Sequence, residues 1–172
     1  MAKKKSTGGL VMKIITIVAA VLTFVSIAFK FFGYTVRTTI GSLTNSESGS
    51  SSMSDWFDGL ENASTEMDGI AAWQAAKGFL IAAFIIIGII AVIAILKLFM
   101  NMGLLNLLMK IAGIAGIVVS LVFIICLIVG CVQMPGSLTD AITYSYYPRE
   151  GSILITLFGL IASGCAMKVA KS

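Results

Sequence analysis

The chain reads as an all-α membrane protein, a four-transmembrane-helix bundle, on three observations. Apolar residues make up 58% of its 172 residues against 12% charged, far beyond what a soluble domain of this size carries. Four continuous apolar stretches come close to or exceed the roughly 20 residues a helix needs to cross a hydrocarbon core. All eight acidic residues fall between those stretches, and none on the side that the N-terminus occupies. In hydrocarbon every backbone polar group must be bonded internally, so a span is a helix or part of a closed barrel. Runs this long and continuous exclude barrel strands.

The first span covers residues 10–32, with Lys13 and Lys30 near its ends, where a long stem lifts an ammonium to the headgroups. Lys3 to Lys5, the apolar run Ile14 to Val25, and the small residues Ser26 and Ala28 are also the parts of a secretory signal peptide. Phe29, Phe31 and Phe32 continue the apolar run past that cleavage site, which favours a retained span.

Residues 33–72 form the longer of two outer loops. It opens with the Thr-rich Tyr34 to Ile40 and passes through the Ser-rich Ser42 to Ser54, whose composition predicts a mobile stretch, not a packed subdomain. An acidic segment follows. Ser54 can cap it, Asp55 and Asp58 complement a first helical turn, and Trp56, Leu60, Ala63 and Met67 recur at helical spacing. A short amphipathic helix on the membrane surface or across the bundle top is expected. Asp55, Asp58 and Glu61 do not have the spacing of a calcium loop, and Asn62-Ala63-Ser64 is a glycosylation sequon only in a eukaryotic host.

The second span, residues 73–98, carries Lys77 and Lys97 at its edges. After a turn at 99–103, the third span, 104–132, enters past Asn106 and Lys110 and leaves near Gln133. The second outer loop, 133–151, holds both prolines, Pro135 and Pro148. Its Tyr144, Tyr146 and Tyr147, with Tyr34 and Trp73, sit where aromatic rings favour the headgroup boundary. Tyr144 to Arg149 joined to the acidic segment also suit a recognition surface, since Tyr, Trp and Arg anchor protein contacts. The fourth span, 152–168, is the shortest and leans on Lys168.

Cytoplasmic segments are enriched in Lys and Arg. Lys3, Lys4, Lys5, Lys13, Lys97, Lys110, Lys168 and Lys171 all fall on the side of the termini, while Lys30, Arg37, Lys77 and Arg149 fall opposite. Both termini are therefore expected in the cytoplasm, with the chain a multi-pass protein of the plasma or cytoplasmic membrane. The net charge of +4 reflects that asymmetry, and no basic domain exists to hold nucleic acid. Small residues at four-residue spacing, Ala112, Gly116 and Ser120 on the third span and Gly159 and Ser163 on the fourth, let a neighbouring helix approach closely. Ala162 and Ala166 repeat the pattern, and Gly78 and Ala82 begin one on the second span. The neighbour is a helix of the same chain or of another copy.

Chemistry finds little footing. The chain has no His, and no span carries a carboxylate or an ionisable group near its middle, where membrane function usually shows itself. Cys126, Cys131 and Cys165 lack an evident base. Cys126 and Cys131 lie five apart on one helix, with Cα atoms roughly 8 to 9 Å apart and beyond disulfide reach. Cys165 belongs near the inner leaflet, where acylation is open to it. No catalytic, cofactor or metal site is expected, and the protein reads as no enzyme.

Inner termini, a longer first and shorter second outer loop, Ala75-Ala76-Lys77-Gly78-Phe79-Leu80 opening the second span and Tyr146-Tyr147-Pro148-Arg149-Glu150-Gly151 before the fourth together resemble the claudin-like tetraspan superfamily. The first outer loop departs from claudins in having no Gly-Leu-Trp and neither of the two cysteines that staple their packed outer sheet. The resemblance implies a non-enzymatic membrane protein whose outer loops contact partners or line an ion path, with Lys77 at the basic position claudins keep at that loop edge. The expected function is a membrane scaffold or interaction protein. Asp55, Trp56, Asp58, Glu61, Tyr144, Tyr146, Tyr147 and Arg149 would face another membrane or envelope protein, or further copies of the chain. The alternative is a small oligomeric channel given cation preference by Asp55, Asp58 and Glu61.

Overall fold

Apolar runs free of proline fold as four long helices. The computed structural model describes residues 7–63, 69–100, 102–134, 137–139 and 141–171. Its helices are α1 (Thr7–Val25), α2 (Met53–Asn62), α3 (Ile70–Phe99), α4 (Gly103–Gln133) and α5 (Glu150–Val169), and its strands are β1 (Phe32–Ile40), β2 (Leu43–Ser51), β3 (Ser137–Thr139) and β4 (Ile142–Pro148). Four of the helices, all but α2, are long and apolar enough to cross a membrane. Lys3 to Lys5, Ser64, Met67 and Pro135, used in the sequence reading, lie outside the described residues.

The chain divides into two compact units. Residues 1–25, 80–121 and 155–172 form a helical unit, and residues 26–79 and 122–154 form a sheet-bearing unit. The division separates charge. The segments of the sheet-bearing unit hold all eight acids and four bases, Lys30, Arg37, Lys77 and Arg149, while those of the helical unit hold the other eight bases and no acid.

Inside the helical unit, Ala19, Ala20, Ala83, Ile87 and Ala162 form one buried cluster, and Ile90, Ile93, Ala94, Met109, Ala166 and Val169 another. Side chains on the other faces, such as Val18, Ile85, Ile89, Ile114, Val118 and Leu157, are apolar and exposed. A helix apolar all round suits lipid, not water. Helices cannot be driven together by hydrophobicity in that solvent, so close packing has to do it. The stripes supply it. A β-carbon on Gly116 would press on the Ser163 side chain, and one on Gly159 would press on Ser120, so glycine meets serine twice across the α4–α5 contact. Gly113 backs onto the Ser163 carbonyl and Met167 in the same way. Within the chain Gly78 meets no neighbour, since a β-carbon there meets open space, and Ala82 is half-buried while the adjacent Ala83 is buried.

Two lysines tie helix ends together in this unit. Lys97, 2% exposed, donates to the Val169 carbonyl in the last turn of α5, and Lys13 on α1 donates to the Lys97 carbonyl in the last turn of α3. The last four carbonyls of a helix have no intrahelical partner and favour a cation. Lys97 therefore turns inward to a carbonyl, where the sequence reading has it reaching for headgroups.

The sheet-bearing unit corrects the all-α expectation in its loops. β1 and β2 form a hairpin and β4 pairs with the other edge of β1, giving an antiparallel sheet in the order β2-β1-β4-β3. The hairpin turns at Gly41-Ser42, with Gly41 at φ 61°, the glycine position of a tight two-residue turn. β2 occupies the Ser-rich stretch that composition marks as mobile. Its pairing along the whole length of the β-branched and aromatic β1 outweighs its own low strand propensity. The first span also ends sooner than expected. After α1 comes a short 3-10 turn, Ser26–Ala28, and Phe32 already belongs to β1. Backbone bonds from Phe31 N to the Ser51 carbonyl, from Arg149 N to the Phe31 carbonyl and from Gly151 N to the Lys30 carbonyl, at 2.9 to 3.1 Å, fasten this entry. The last span begins at Glu150, two residues earlier than expected.

Candidate functional site

Alternation along β1 and β4 sorts the sheet into two faces. Phe32, Tyr34 and Val36 share one face with their partners Tyr146 and Tyr144, whereas Gly33, Thr35 and Arg37 share the other with Tyr147, Ser145 and Thr143. The first face is aromatic and packs. Phe32 lies edge-on to Trp73 at 4.8 Å and stacks on Tyr146 at 5.7 Å, and Trp73 meets Tyr146 edge-on at 5.4 Å. Trp56 from α2 joins through Phe31 at 5.0 Å and Trp73 at 6.5 Å. Phe31 reaches Phe123 on α4. The Trp73 indole covers Gly130, where any β-carbon would lie inside the ring.

Helix α2 is closed at its start by a capping box. Ser52 accepts from Asp55 N at 3.2 Å and the Asp55 carboxylate accepts from Ser52 N at 2.9 Å. The cap is thus Ser52, not Ser54, because its partner three residues on is Asp55. The bond to Ser52 holds the Asp55 carboxyl below its ordinary range. Trp56 and Leu60 are buried, while Asp55, Asp58 and Glu61 face out. The helix is tied to α3 by Lys77, which donates to Glu61 at 2.7 Å and sits 4.7 Å from the centre of the Phe57 ring. That bond lowers the pKa of Glu61.

The residues singled out from sequence therefore do not form one patch. Asp55, Asp58 and Glu61 make the exposed acidic face of α2. Trp56 is 5% exposed and belongs to the aromatic core, since its hydrophobic spacing with Leu60 serves packing. Tyr144 and Tyr146 are half-buried on the aromatic face, and burial pushes the Tyr146 hydroxyl pKa up. Tyr147 is exposed on the other face, over Gly33. Arg149 forms a two-pronged pair with Glu150, at 2.8 and 2.9 Å, which raises its pKa.

Between α2, the start of α3 and the aromatic face lies a cavity of about 240 Å³, missed by the sequence reading. Its walls include Phe32, Tyr34, Trp56, Leu60, Ile70, Trp73 and Tyr146, with Asp55 and Gly59 also contributing. The indole N–H groups of Trp56 and Trp73 are buried and meet no acceptor in hydrogen-bond geometry, although the Cys131 thiol is close to Trp73. Nothing in residue order announces this space, because its walls come from five separate segments. Among the described residues no three His, Cys, Asp or Glu side chains gather as a metal would need, and the three cysteines are unpaired. Scans against protein-family models and curated proteins find no match for this chain.

Proposed function

We propose that the protein is a non-enzymatic membrane scaffold, holding the sheet-bearing unit on the outer side of the plasma or cytoplasmic membrane, where it engages another protein or further copies of the chain. The separation of charge carries the reading: eight bases and no acid in the segments of one unit, eight acids and four bases in the other. Basic segments stay in the cytoplasm, so the acidic unit faces out and both termini face in. The exposed acids of α2 and the exposed Tyr147 are the contact groups. The claudin-like resemblance of the sequence belongs to the same proposal. Here capping, the Glu61–Lys77 bond and the aromatic core hold the unit without a cysteine staple.

Recovery of the tagged chain from native membranes in mild detergent tests the reading. A polypeptide should co-purify with the natural chain. It should be lost with Asp58→Lys, or with Tyr147→Ala, while the chain itself is recovered undiminished. Identical recovery from all of these variants would contradict the proposal.

A further inference from the structure

The cavity beside α2 has the features of a binding site. It is apolar, and at about 240 Å³ it exceeds the roughly 150 Å³ that accommodates a benzene ring in a protein core. One buried indole donor, Trp56 Nε1, belongs to a residue of its wall and has no hydrogen-bond partner, whereas the Nε1 edge of Trp73 lies against Gly130 and near the Cys131 thiol. A buried tryptophan N–H ordinarily finds a partner. An occupant that fills the space and brings a carbonyl would give Trp56 Nε1 its partner. The rim narrows the choice. Asp55 contributes to it, Asp58 is exposed on the same helix, and Lys77 is already held by Glu61, which leaves Lys30 as the cation near Asp55. A phospholipid phosphate would meet like charge there, and the volume is far below that of a two-chain lipid. A peptide segment meets all three demands: a ring for the cavity, a backbone carbonyl for the Trp56 indole, and basic neighbours for the acids.

We infer that this cavity is the anchor pocket for a protein partner, receiving one aromatic or branched aliphatic side chain flanked by Lys or Arg. The inference rests on the interaction reading above and names the chemistry of the partner. It also comes with a built-in reporter, because Trp56 and Trp73 are the only tryptophans of the chain and both line the cavity.

The test uses the full chain in phosphatidylcholine nanodiscs and reads tryptophan fluorescence. The probe is acetyl-Lys-(para-bromo-Phe)-Lys-amide, whose bromine quenches indole on contact. Saturable quenching is expected, at least about tenfold weaker with Glu in place of both Lys, and weakened about three- to tenfold by Asp55→Asn with Asp58→Asn. Gly59 lines the cavity and a β-carbon there meets open space, so Gly59→Leu should abolish quenching with unchanged emission in the absence of peptide. Ala63→Leu is the second blocking variant. Absence of saturable quenching, or equal quenching in both blocked variants, overturns the inference. So does quenching by phosphatidylcholine brominated along its chain that disappears in Gly59→Leu, which would make the occupant an acyl chain. No quenching alongside a co-purified partner would overturn the pocket and leave the interaction reading standing. Quenching with no partner recovered would support the pocket and count against that reading.

Discussion

Single residues decide how closely α4 and α5 approach. Gly116 and Gly159 each leave room for a serine, and the hydroxyls they face, Ser163 Oγ and Ser120 Oγ, are buried without an acceptor. Gly116→Leu must push the helices apart, and overpacking of this kind costs about 1 to 3 kcal/mol. Ser163→Ala removes an unsatisfied hydroxyl and should be neutral or slightly stabilising. Thermal unfolding in a fixed detergent checks both, with a lowered midpoint for the first and an unchanged or raised one for the second. Here the sequence is informative, because four-residue spacing shows which residues are small on one face. It does not show that Gly78 faces open space, since a stripe has no meaning until a neighbour covers it.

At the scale of the element, α2 depends on its cap and its tie to α3. Ser52→Ala removes the side chain that accepts from Asp55 N, a loss of about 1 kcal/mol at a helix start. Both carboxylates are lowered in the folded chain, Asp55 from 3.8 and Glu61 from 4.5. A lowered carboxyl stabilises above its unfolded pKa, so these contributions are complete above pH 4.5 and are lost as the pH falls below it. Tyr146 has the opposite sign: its pKa is raised from 10.0, so its contribution is complete below that pH and fades above it. Tryptophan emission should report all three, since Trp56 sits on α2 and Trp73 on α3. A red shift is expected below pH 4.5 and again above pH 10.0, and at milder acidity in Ser52→Ala than in the natural chain. Flat emission across both windows would contradict the assignment. The helix was legible from the 56/60 spacing and its acids. The sheet was not, because Ser, Gly and Asn at β2 have low strand propensity, and only pairing with β1 orders them.

For the whole molecule, charge is the organising quantity. The sequence shows four spans and the segregation of acids directly, since both are properties of composition along the chain. Folding adds that the acid-bearing segments close into a unit of their own, with an aromatic core and a cavity. That cavity draws on β1, β2, α2, α3 and β4, and contacts of such long range leave no local pattern to read. If the acidic unit faces out, a cysteine placed at exposed Asn45 on β2 should react with an impermeant maleimide on intact cells. One at Met102, between α3 and α4, should react only after permeabilisation. The reverse pattern would invert the orientation.

The most direct test of a protein-contact role is photo-crosslinking in native membranes from Asp58 on the acidic face of α2, with exposed Tyr147 as a second position and the exposed apolar Ile114 of α4 as the control. Trp56 is unsuited to this use because it is buried. Reproducible capture of a polypeptide, another protein or a second copy, from Asp58 or Tyr147 but not from Ile114 is the predicted result. Capture of lipid alone at all three positions would contradict the account.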